Sequence, residues 1–256
     1  MLIVDTIPIL KDNYSYLIHD TDSDKTAVID PAAIEPILAK LQHRQWKLDY
    51  IFNTHHHPDH VGGNLALQAY YGCKIIGSLI ERHSIPGLDI GLNDGDQFAF
   101  GNQLLRVIAT PGHTHGHLVY YFPYSGDLFT GDTLFIMGCG RLFEGTMIQL
   151  WQSLQKLKAL PTTTRIYCAH EYSLTNALFA LTVEPNNVQL QKRLSLIQQQ
   201  YAIKQPTVPS TLAEELATNP FLREHHLNLQ HNLKNTTQSP IEIFTQLRQL
   251  KDQFQA

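Results

Sequence analysis

The chain has 256 residues, of which 43% are hydrophobic and 16% are charged, which is typical of one large globular domain or one domain with a smaller companion. Its net charge of −4 argues against a nucleic-acid partner, because no basic surface is available for a phosphate backbone. The N-terminal apolar run is interrupted at Asp5, and no long uninterrupted apolar stretch follows it. We therefore expect neither a signal peptide nor a membrane span.

Cysteine and histidine usage is informative. The 3 cysteines are an odd number and form no Cys-x-x-Cys pair, which favours reduced thiols and a cytoplasmic location over a disulfide framework. The 14 histidines are unusually many, and most of them lie in three short segments. Those clustered histidines are His55, His56, His57, His60, His113, His115, His117 and His170.

Short apolar runs separated by turn residues dominate the first 170 positions. Predicted strands lie at 2–10, 14–18, 26–29, 48–53, 74–77, 97–100, 103–109, 117–122, 128–130 and 165–169. Helices are predicted at 34–45, from Asp59 or His60 to Tyr71, and after Thr146, where Gln149 completes a capping box. Residues 85–95 are predicted to form a loop. Two runs of strands, each with helices, predict two packed sheets covered by helices on the outside.

After His170 the strand pattern gives way to helical periodicity, which places a domain boundary near residue 172. Helices are predicted at 173–181, 188–201, 211–217 and 240–254, and the last begins with a capping box at Ser239. Lys251 lies within the apolar arc of this last helix, and Arg248 lies at its border. The arc itself is predicted to consist of Ile243, Phe244, Leu247, Leu250 and Phe254.

The stretch from 54 to 63 concentrates possible metal ligands directly after a predicted strand. Alternation along an extended segment turns His55 and His57 to one side and His56 to the other. The turn at Pro58 then brings Asp59 and His60 back to the same place. Because one tetrahedral ion cannot use all of these side chains, the stretch predicts two metal ions.

Three later segments place a ligand-type side chain after a predicted strand, namely His113, Asp132 and His170. The carboxyl ends of strands gather binding sites in open α/β sheets, so we expect these side chains to meet the first group. His56, His115 and His117 are expected to support the site without binding metal, and Glu171 is expected to be a neighbour. A surface metal trap could explain the triple histidine alone, but not the later segments.

Four motifs together resemble the metallo-β-lactamase superfamily. They are His-x-His-x-Asp-His at 55–60, Gly-His-Thr at 112–114, Gly-Asp-Thr at 131–133 and Ala-His-Glu at 169–171. The resemblance implies the α/β class: a four-layer αββα sandwich with a C-terminal all-helical domain, divided into a catalytic domain at 1–171 and a substrate-binding domain at 172–256. By position, one metal is held by His55, His57 and His113, the other by Asp59, His60 and His170, and Asp132 bridges them.

Further motifs narrow the resemblance to the hydroxyacylglutathione hydrolase (glyoxalase II) family. They are the segments 139–145, 170–172 and Asn-Pro-Phe-Leu-Arg at 219–223, with Arg248 and Lys251 near the C-terminus. By position, the glutathione-binding residues are Arg141, Phe143, Tyr172, Arg248 and Lys251. Phe143 stands where some relatives have tyrosine, and the missing hydroxyl is expected to weaken binding by about 0.5–1.5 kcal/mol.

The resemblance implies two divalent ions, zinc before iron or manganese, and a bridging hydroxide that attacks the thioester of S-D-lactoylglutathione. Its products are glutathione and D-lactate, in the second step of methylglyoxal detoxification. We expect a monomer without nucleic-acid or membrane partners. Two alternatives remain: a mononuclear iron sulfur dioxygenase acting on glutathione persulfide, and a metal-binding protein without turnover.

Overall fold

A computed structural model of the chain describes residues 1–234 and 239–255. Its strands are β1 (Leu2–Ile9), β2 (Asn13–Asp20), β3 (Lys25–Ile29), β4 (Tyr50–Phe52), β5 (Lys74–Ser78), β6 (Ile90–Leu92), β7 (Gln97–Phe100), β8 (Gln103–Ala109), β9 (Leu118–Phe122), β10 (Asp127–Gly131), β11 (Leu134–Phe135), β12 (Gly138–Cys139), β13 (Arg165–Cys168) and β14 (Ser210–Thr211). Its helices are α1 (Ile34–Arg44), α2 (Pro58–Val61), α3 (Asn64–Tyr71), α4 (Met147–Lys158), α5 (Ser173–Val183), α6 (Val188–Ala202), α7 (Leu212–Thr218), α8 (Leu227–Asn232) and α9 (Pro240–Gln253), with a 3-10 turn at Pro220–Leu222. In the part of the chain so described, no helix has the length and apolar character needed to cross a bilayer.

Two six-stranded sheets form the centre of the molecule, as the strand pattern predicted. The first has the order β1-β2-β3-β4-β5-β6, and the second has the order β14-β13-β10-β9-β8-β7. From β3 to β6 the first sheet is parallel, and β10 and β13 form the parallel pair of the second. Because parallel strands end at the same edge, the loops that follow β3, β4, β10 and β13 are brought to one rim of the sandwich.

Alternation along the strands divides the core into layers. Tyr16 and Ile18 face the aromatic layer between the sheets, whereas Leu17 between them faces the outer helices α1 and α3. On the other side, Leu150 and Leu154 of α4 cover the outer face of the second sheet. These layers confirm the predicted αββα sandwich.

Three local predictions are corrected by the structure. The helix predicted up to Tyr71 is two helices, because the N–H of Gly63 donates to the Pro31 carbonyl oxygen at 2.6 Å; a Cβ at Gly63 would lie 2.4 Å from that oxygen, so this approach requires glycine. The loop predicted at 85–95 contains β6, which extends the parallel sheet. The C-terminal part is helical as predicted except for β14, which pairs with β13.

Candidate metal centre and substrate cavity

The loop between β4 and α2, together with α2 itself, supplies four of the predicted metal ligands. The last residue of this loop, His57, has an extended backbone, and Pro58 at the first position of α2 then starts the helix. His55 and His57 precede this turn, and Asp59 and His60 lie in the helix that follows. The short helix therefore turns two further side chains towards the rim from which the first two project.

Three imidazoles converge with their ring nitrogens almost in contact. His57 Nδ1 lies 2.9 Å from His55 Nε2 and 3.1 Å from His113 Nε2. One hydrogen bond cannot satisfy both contacts, because neutral imidazoles have one N–H each, those of His55 and His113 are used elsewhere, and a single N–H of His57 would face two acceptors. Ligand nitrogens around a tetrahedral zinc ion are about 3.3 Å apart, since each Zn–N bond is about 2.0–2.1 Å long. The convergence therefore fits a metal ion.

A second group lies beside the first. His170 Nε2 is 3.5 Å from Asp59 Oδ2, and His60 Nε2 is 3.7 Å from the same oxygen. One ligand atom from each of these residues lies within 4.8 Å of the others. The structure thus brings together the three side chains predicted for a second ion.

Asp132 lies between the two groups. Its Oδ1 is 3.6 Å from His60 Nε2 and 3.5 Å from His170 Nε2, and its Oδ2 is 3.3 Å from His113 Nε2. Its backbone N–H donates to His117 Nε2 at 3.0 Å, which fixes the start of the loop after β10. One carboxylate oxygen therefore faces each group, as expected of a bridging ligand.

Carboxylates and a carbonyl behind the histidines fix their tautomers. His60 Nδ1 donates to Asp30 at 3.0 Å, His170 Nδ1 to Asp12 at 3.0 Å, and His113 Nδ1 to the Arg141 carbonyl oxygen at 2.9 Å. In the neutral imidazole each of these bonds uses the ring N–H and leaves the Nε2 lone pair free for a metal.

His55 is oriented through a hydroxyl. The Thr54 hydroxyl donates to Asp30 at 2.7 Å, so its oxygen accepts from His55 Nδ1 at 3.1 Å. Sequence reasoning missed both Asp12 and Asp30. Asp12 lies in the turn directly before β2 and Asp30 directly follows β3, and these positions are too common for a carboxylate to single either residue out.

Burial and neighbouring charges keep most of these groups in the form that binds metal. Burial, reinforced by the neighbouring imidazoles, holds the pKa of His55 well below its ordinary value, and burial also lowers the pKa of His57 and His113. Burial lowers the pKa of His60 as well, but Asp30 and Asp132 outweigh it and raise that pKa to about 9. Burial raises the pKa of Asp59, but His60, the hydrogen bond from Asn13 and His170 together outweigh it, and the pKa of the carboxyl is below its usual range.

Two orphaned atoms test whether the site fits metal ions. His60 Nε2 and Asp132 Oδ1 are buried and have no hydrogen-bond partner among the described residues. Such groups are costly to bury unless something coordinates them. Imidazole nitrogens and carboxylate oxygens are the ligands of zinc, iron and manganese sites, so the residues present fit divalent ions.

The remaining histidines lie outside the ligand groups among the described residues, as expected. His56 faces away, with its ring nitrogens 3.1 Å from Glu81 and 3.4 Å from Glu144. His117 is buried between two threonine hydroxyls, and His115 is exposed. Glu171 is a neighbour as predicted: its carboxylate accepts from Thr207 and two tyrosines.

A cavity of about 310 Å³ opens beside the metal centre, and His113 and Asp132 form part of its wall. The structure brings all five predicted glutathione contacts to this cavity. They are Arg141, Phe143, Tyr172, Arg248 and Lys251. The metal centre and the cationic residues therefore share one space.

The two cations of α9 differ in their surroundings. Arg248 is only 2% exposed; its Nη1 donates to the Cys139 carbonyl oxygen at 2.8 Å and its Nη2 to Asp252 at 2.8 Å. Lys251 is freer, with Nζ 3.4 Å from the Thr175 carbonyl oxygen. Burial, with the repulsion of Arg248, lowers the pKa of Lys251 to about 8.

The predicted apolar arc of α9 is partly wrong. Leu250 is 37% exposed, while Ile243, Phe244 and Leu247 are buried together with Arg248. The helix is rotated so that the guanidinium takes the interior position, because it finds the Cys139 carbonyl and the ring of Phe221 there.

Two aromatic side chains stand at the boundary between the cavity and the metal centre. The ring of Phe143 is 65% exposed and meets His57 and His113 edge to face, at 5.5 and 5.1 Å between centroids. Tyr172 stacks on His170 at 4.8 Å. Burial raises the pKa of the Tyr172 phenol, so it remains a hydrogen-bond donor at neutral pH.

Comparisons with known proteins show the family of the chain. The Metallo-beta-lactamase superfamily profile matches residues 10–170, and that of the Hydroxyacylglutathione hydrolase C-terminus matches residues 171–254. The chain is 47% identical to a hydroxyacylglutathione hydrolase of Methylococcus capsulatus, over 99% of both chains. It is 51% identical to that of Synechococcus sp. (strain JA-3-3Ab), over 97% of this chain and 98% of the relative.

Solved structures share the architecture. ETHE1 from Myxococcus xanthus has a TM-score of 0.67 and 25% identity, over 95% of both chains. TTHA1623 in a di-iron-bound form has a TM-score of 0.61 and 25% identity, over 86% of this chain and 100% of that one. The sandwich and its rim of histidines and aspartates define a member of the metallo-β-lactamase superfamily. Within that superfamily, the chain belongs to the hydroxyacylglutathione hydrolase family.

Proposed function

We propose that this protein is a metal-dependent hydrolase that cleaves the thioester of S-(2-hydroxyacyl)glutathione, with S-D-lactoylglutathione as the substrate. The products are glutathione and a 2-hydroxy acid, and the reaction serves as the second step of methylglyoxal detoxification. One observation carries the proposal: His113 and Asp132 of the candidate metal centre line the same cavity as Arg141 and Lys251. Curated relatives about half identical over their whole length bear the name of this activity.

Two divalent ions, most simply zinc, would be held by His55, His57 and His113 on one side and by Asp59, His60 and His170 on the other, with Asp132 shared. When bound, such ions supply a nucleophile from water at neutral pH and stabilise the charge that develops on the carbonyl oxygen. The name of the neighbour TTHA1623, a di-iron-bound form, supports a two-metal site and leaves iron as the alternative.

The chain's own residues bind and orient the substrate. Arg141 and Lys251 provide positive charge for the two carboxylates of glutathione, and Arg248, already paired with Asp252, anchors the cavity wall. Phe143 and Tyr172 cover the approach to the metal centre and limit the access of water. The leaving thiolate has an ordinary pKa of about 8.5, so no side chain has to donate a proton to it.

The division of labour follows the two profiles, and we propose a catalytic domain at 1–171 and a substrate-binding domain at 172–256. A monomer in the cytoplasm is the simplest setting, since glutathione is a free small molecule there. The three cysteines are unpaired and buried, which fits a reducing compartment.

Two paired assays test the proposal. Purified protein should hydrolyse S-D-lactoylglutathione much faster than the lactoyl thioester of N-acetylcysteamine, which has the same acyl group but lacks the glutathione carboxylates. Equal kcat/KM on both would refute the role of the cationic cavity. Oxygen consumption on glutathione persulfide without thioester hydrolysis would instead identify a sulfur dioxygenase.

A further inference from the structure

The hairpin of β11 and β12 connects the metal centre to the substrate cavity. It begins shortly after Asp132 and ends at Cys139, which lines the cavity. Met137, in the turn of the hairpin, is buried and has φ of 53°, a left-handed backbone conformation that residues other than glycine rarely adopt. The turn therefore has to be held by its surroundings.

Side chains from the C-terminal region bind the hairpin's backbone. Asn219 Nδ2 donates to the carbonyl oxygens of Phe135 and Gly138, at 3.2 and 3.0 Å. The N–H of Met137 donates to Glu215 at 2.8 Å. Two cavity-lining residues complete the set: Asn176 donates to the Ile136 carbonyl oxygen at 3.0 Å, and Arg248 donates to that of Cys139 at 2.8 Å.

Asn219 and Glu215 are themselves firmly placed. Both are fully buried, and Asn219 Nδ2 lies 3.1 Å from Glu215 Oε2. Glu215 also accepts from Arg193 and Ser210, each at 2.6 Å, so its charge is neutralised and its oxygens are occupied. The side-chain oxygen of Asn219 accepts from the N–H of Phe221 at 3.1 Å.

The segment Asn-Pro-Phe-Leu-Arg at 219–223 therefore has a structural role that does not require contact with the substrate. Its asparagine binds the hairpin, and its Phe221 ring lies 5.3 Å beneath the Arg248 guanidinium carbon, which binds the end of the same hairpin. Neither residue lines the cavity. Both act on the wall of the cavity from behind.

We propose that Asn219, supported by Glu215, is a positioning residue that holds the β11–β12 hairpin in the conformation that binds glutathione. The inference rests on the proposed function, since it takes the glutathione thioester as the ligand of the cavity. If the hairpin is loosened, the cavity wall at Cys139 can move. The glutathione-binding site is then no longer preorganised before the substrate binds. Substrate binding then weakens while the metal ligands remain in place.

Asn219→Ala tests the proposal against a matched control, Asn187→Ala. Asn187 also lies in the C-terminal region, and its side chain also binds backbone groups. Its Nδ2 donates to the Ala217 carbonyl oxygen at 3.0 Å, and its Oδ1 caps α6 by accepting from the N–H of Leu190. We expect Asn219→Ala to raise KM for S-D-lactoylglutathione at least about tenfold with kcat changed less than about threefold, and Asn187→Ala to change neither by more than about twofold. Equal KM values in the two variants, at equal loss of thermal stability, would overturn the proposal.

Hydrogen exchange on the wild-type chain gives a second test that needs no variant to fold. Adding the product glutathione should slow amide hydrogen exchange in the peptide 134–139, because a ligand in the cavity stabilises the hairpin in its binding conformation. Unchanged exchange at a glutathione concentration that inhibits turnover would overturn the positioning role. Absence of turnover on S-D-lactoylglutathione would instead refute the proposed function.

Discussion

Replacing Lys251 by methionine should make the protein more stable at neutral pH and a poorer enzyme. The ammonium lies over the rings of Phe179 and Phe254 and close to other cations. Burial and these cations lower its pKa from 10.5 to about 8. At about 1.4 kcal/mol per pKa unit, keeping the charge costs at most about 3–4 kcal/mol. Contacts with the two ring faces and partial exposure reduce this cost, and we expect about 1 kcal/mol of stabilisation from Lys251→Met.

The pH dependence follows from the same shift. Between about pH 8 and 10.5 the folded lysine is neutral while the unfolded lysine is still protonated, so the unfolded state binds more protons and wild-type stability rises with pH. Lys251→Met lacks this gain, and its advantage should disappear by about pH 10. Urea unfolding at pH 7 and pH 10 measures the difference, with exposed Lys192→Met on α6 as the control.

The effect of Lys251→Met on catalysis should be opposite to its effect on stability. Without the charge, a glutathione carboxylate loses a partner worth about 1.5–3 kcal/mol, so KM should rise by about 10–100-fold with kcat nearly unchanged. In the wild type, KM should rise above about pH 8 as Lys251 loses its proton. A variant less stable than the wild type at pH 7, or an advantage that does not change with pH, would refute this reasoning.

Three further predictions concern other parts of the site. Asp12→Ala removes the acceptor that orients His170 and should weaken binding of one metal ion by about 10–100-fold, measured by chelator competition; an unchanged affinity would contradict the orienting role. Gly140→Ala places a Cβ 2.0 Å from the Asp132 carbonyl oxygen, so the loop must shift and metal content should fall, whereas full metal content would show that the loop can yield. Phe143→Tyr should lower KM for the glutathione thioester by about 2–10-fold if the added hydroxyl finds the peptide, and an unchanged or higher KM would show that it does not.

The residues predicted as metal ligands converge in the structure because they obey local rules. His55, His57, Asp59 and His60 lie in one short stretch, and the others follow strands whose carboxyl ends share a rim. Asp12 and Asp30 were missed although they lie at strand ends too. A single carboxylate in a turn is common, and only the three-dimensional pairing distinguishes one that orients a histidine.

Tertiary contacts explain the other differences. Within 58–71 the pair Gly62-Gly63 is a local signal for a break between α2 and α3, but the partner of Gly63, the Pro31 carbonyl oxygen, is distant in sequence and cannot be predicted from this segment. Helical periodicity placed Leu250 inside and Arg248 at the border, but the buried carbonyl of Cys139 reverses their order. Hydrogen-bond partners far along the chain cannot be read from periodicity.

Metal content, measured together with turnover in the wild type and in Asp132→Ala, tests the central claim most directly. We predict two divalent ions per chain in the wild type. The variant should lose at least one ion and hydrolyse S-D-lactoylglutathione at least about a hundredfold more slowly, because the shared carboxylate faces both ligand groups. Exposed Asp22→Ala provides the control. An Asp132→Ala protein with full metal content and near-normal turnover would contradict the two-metal hydrolase.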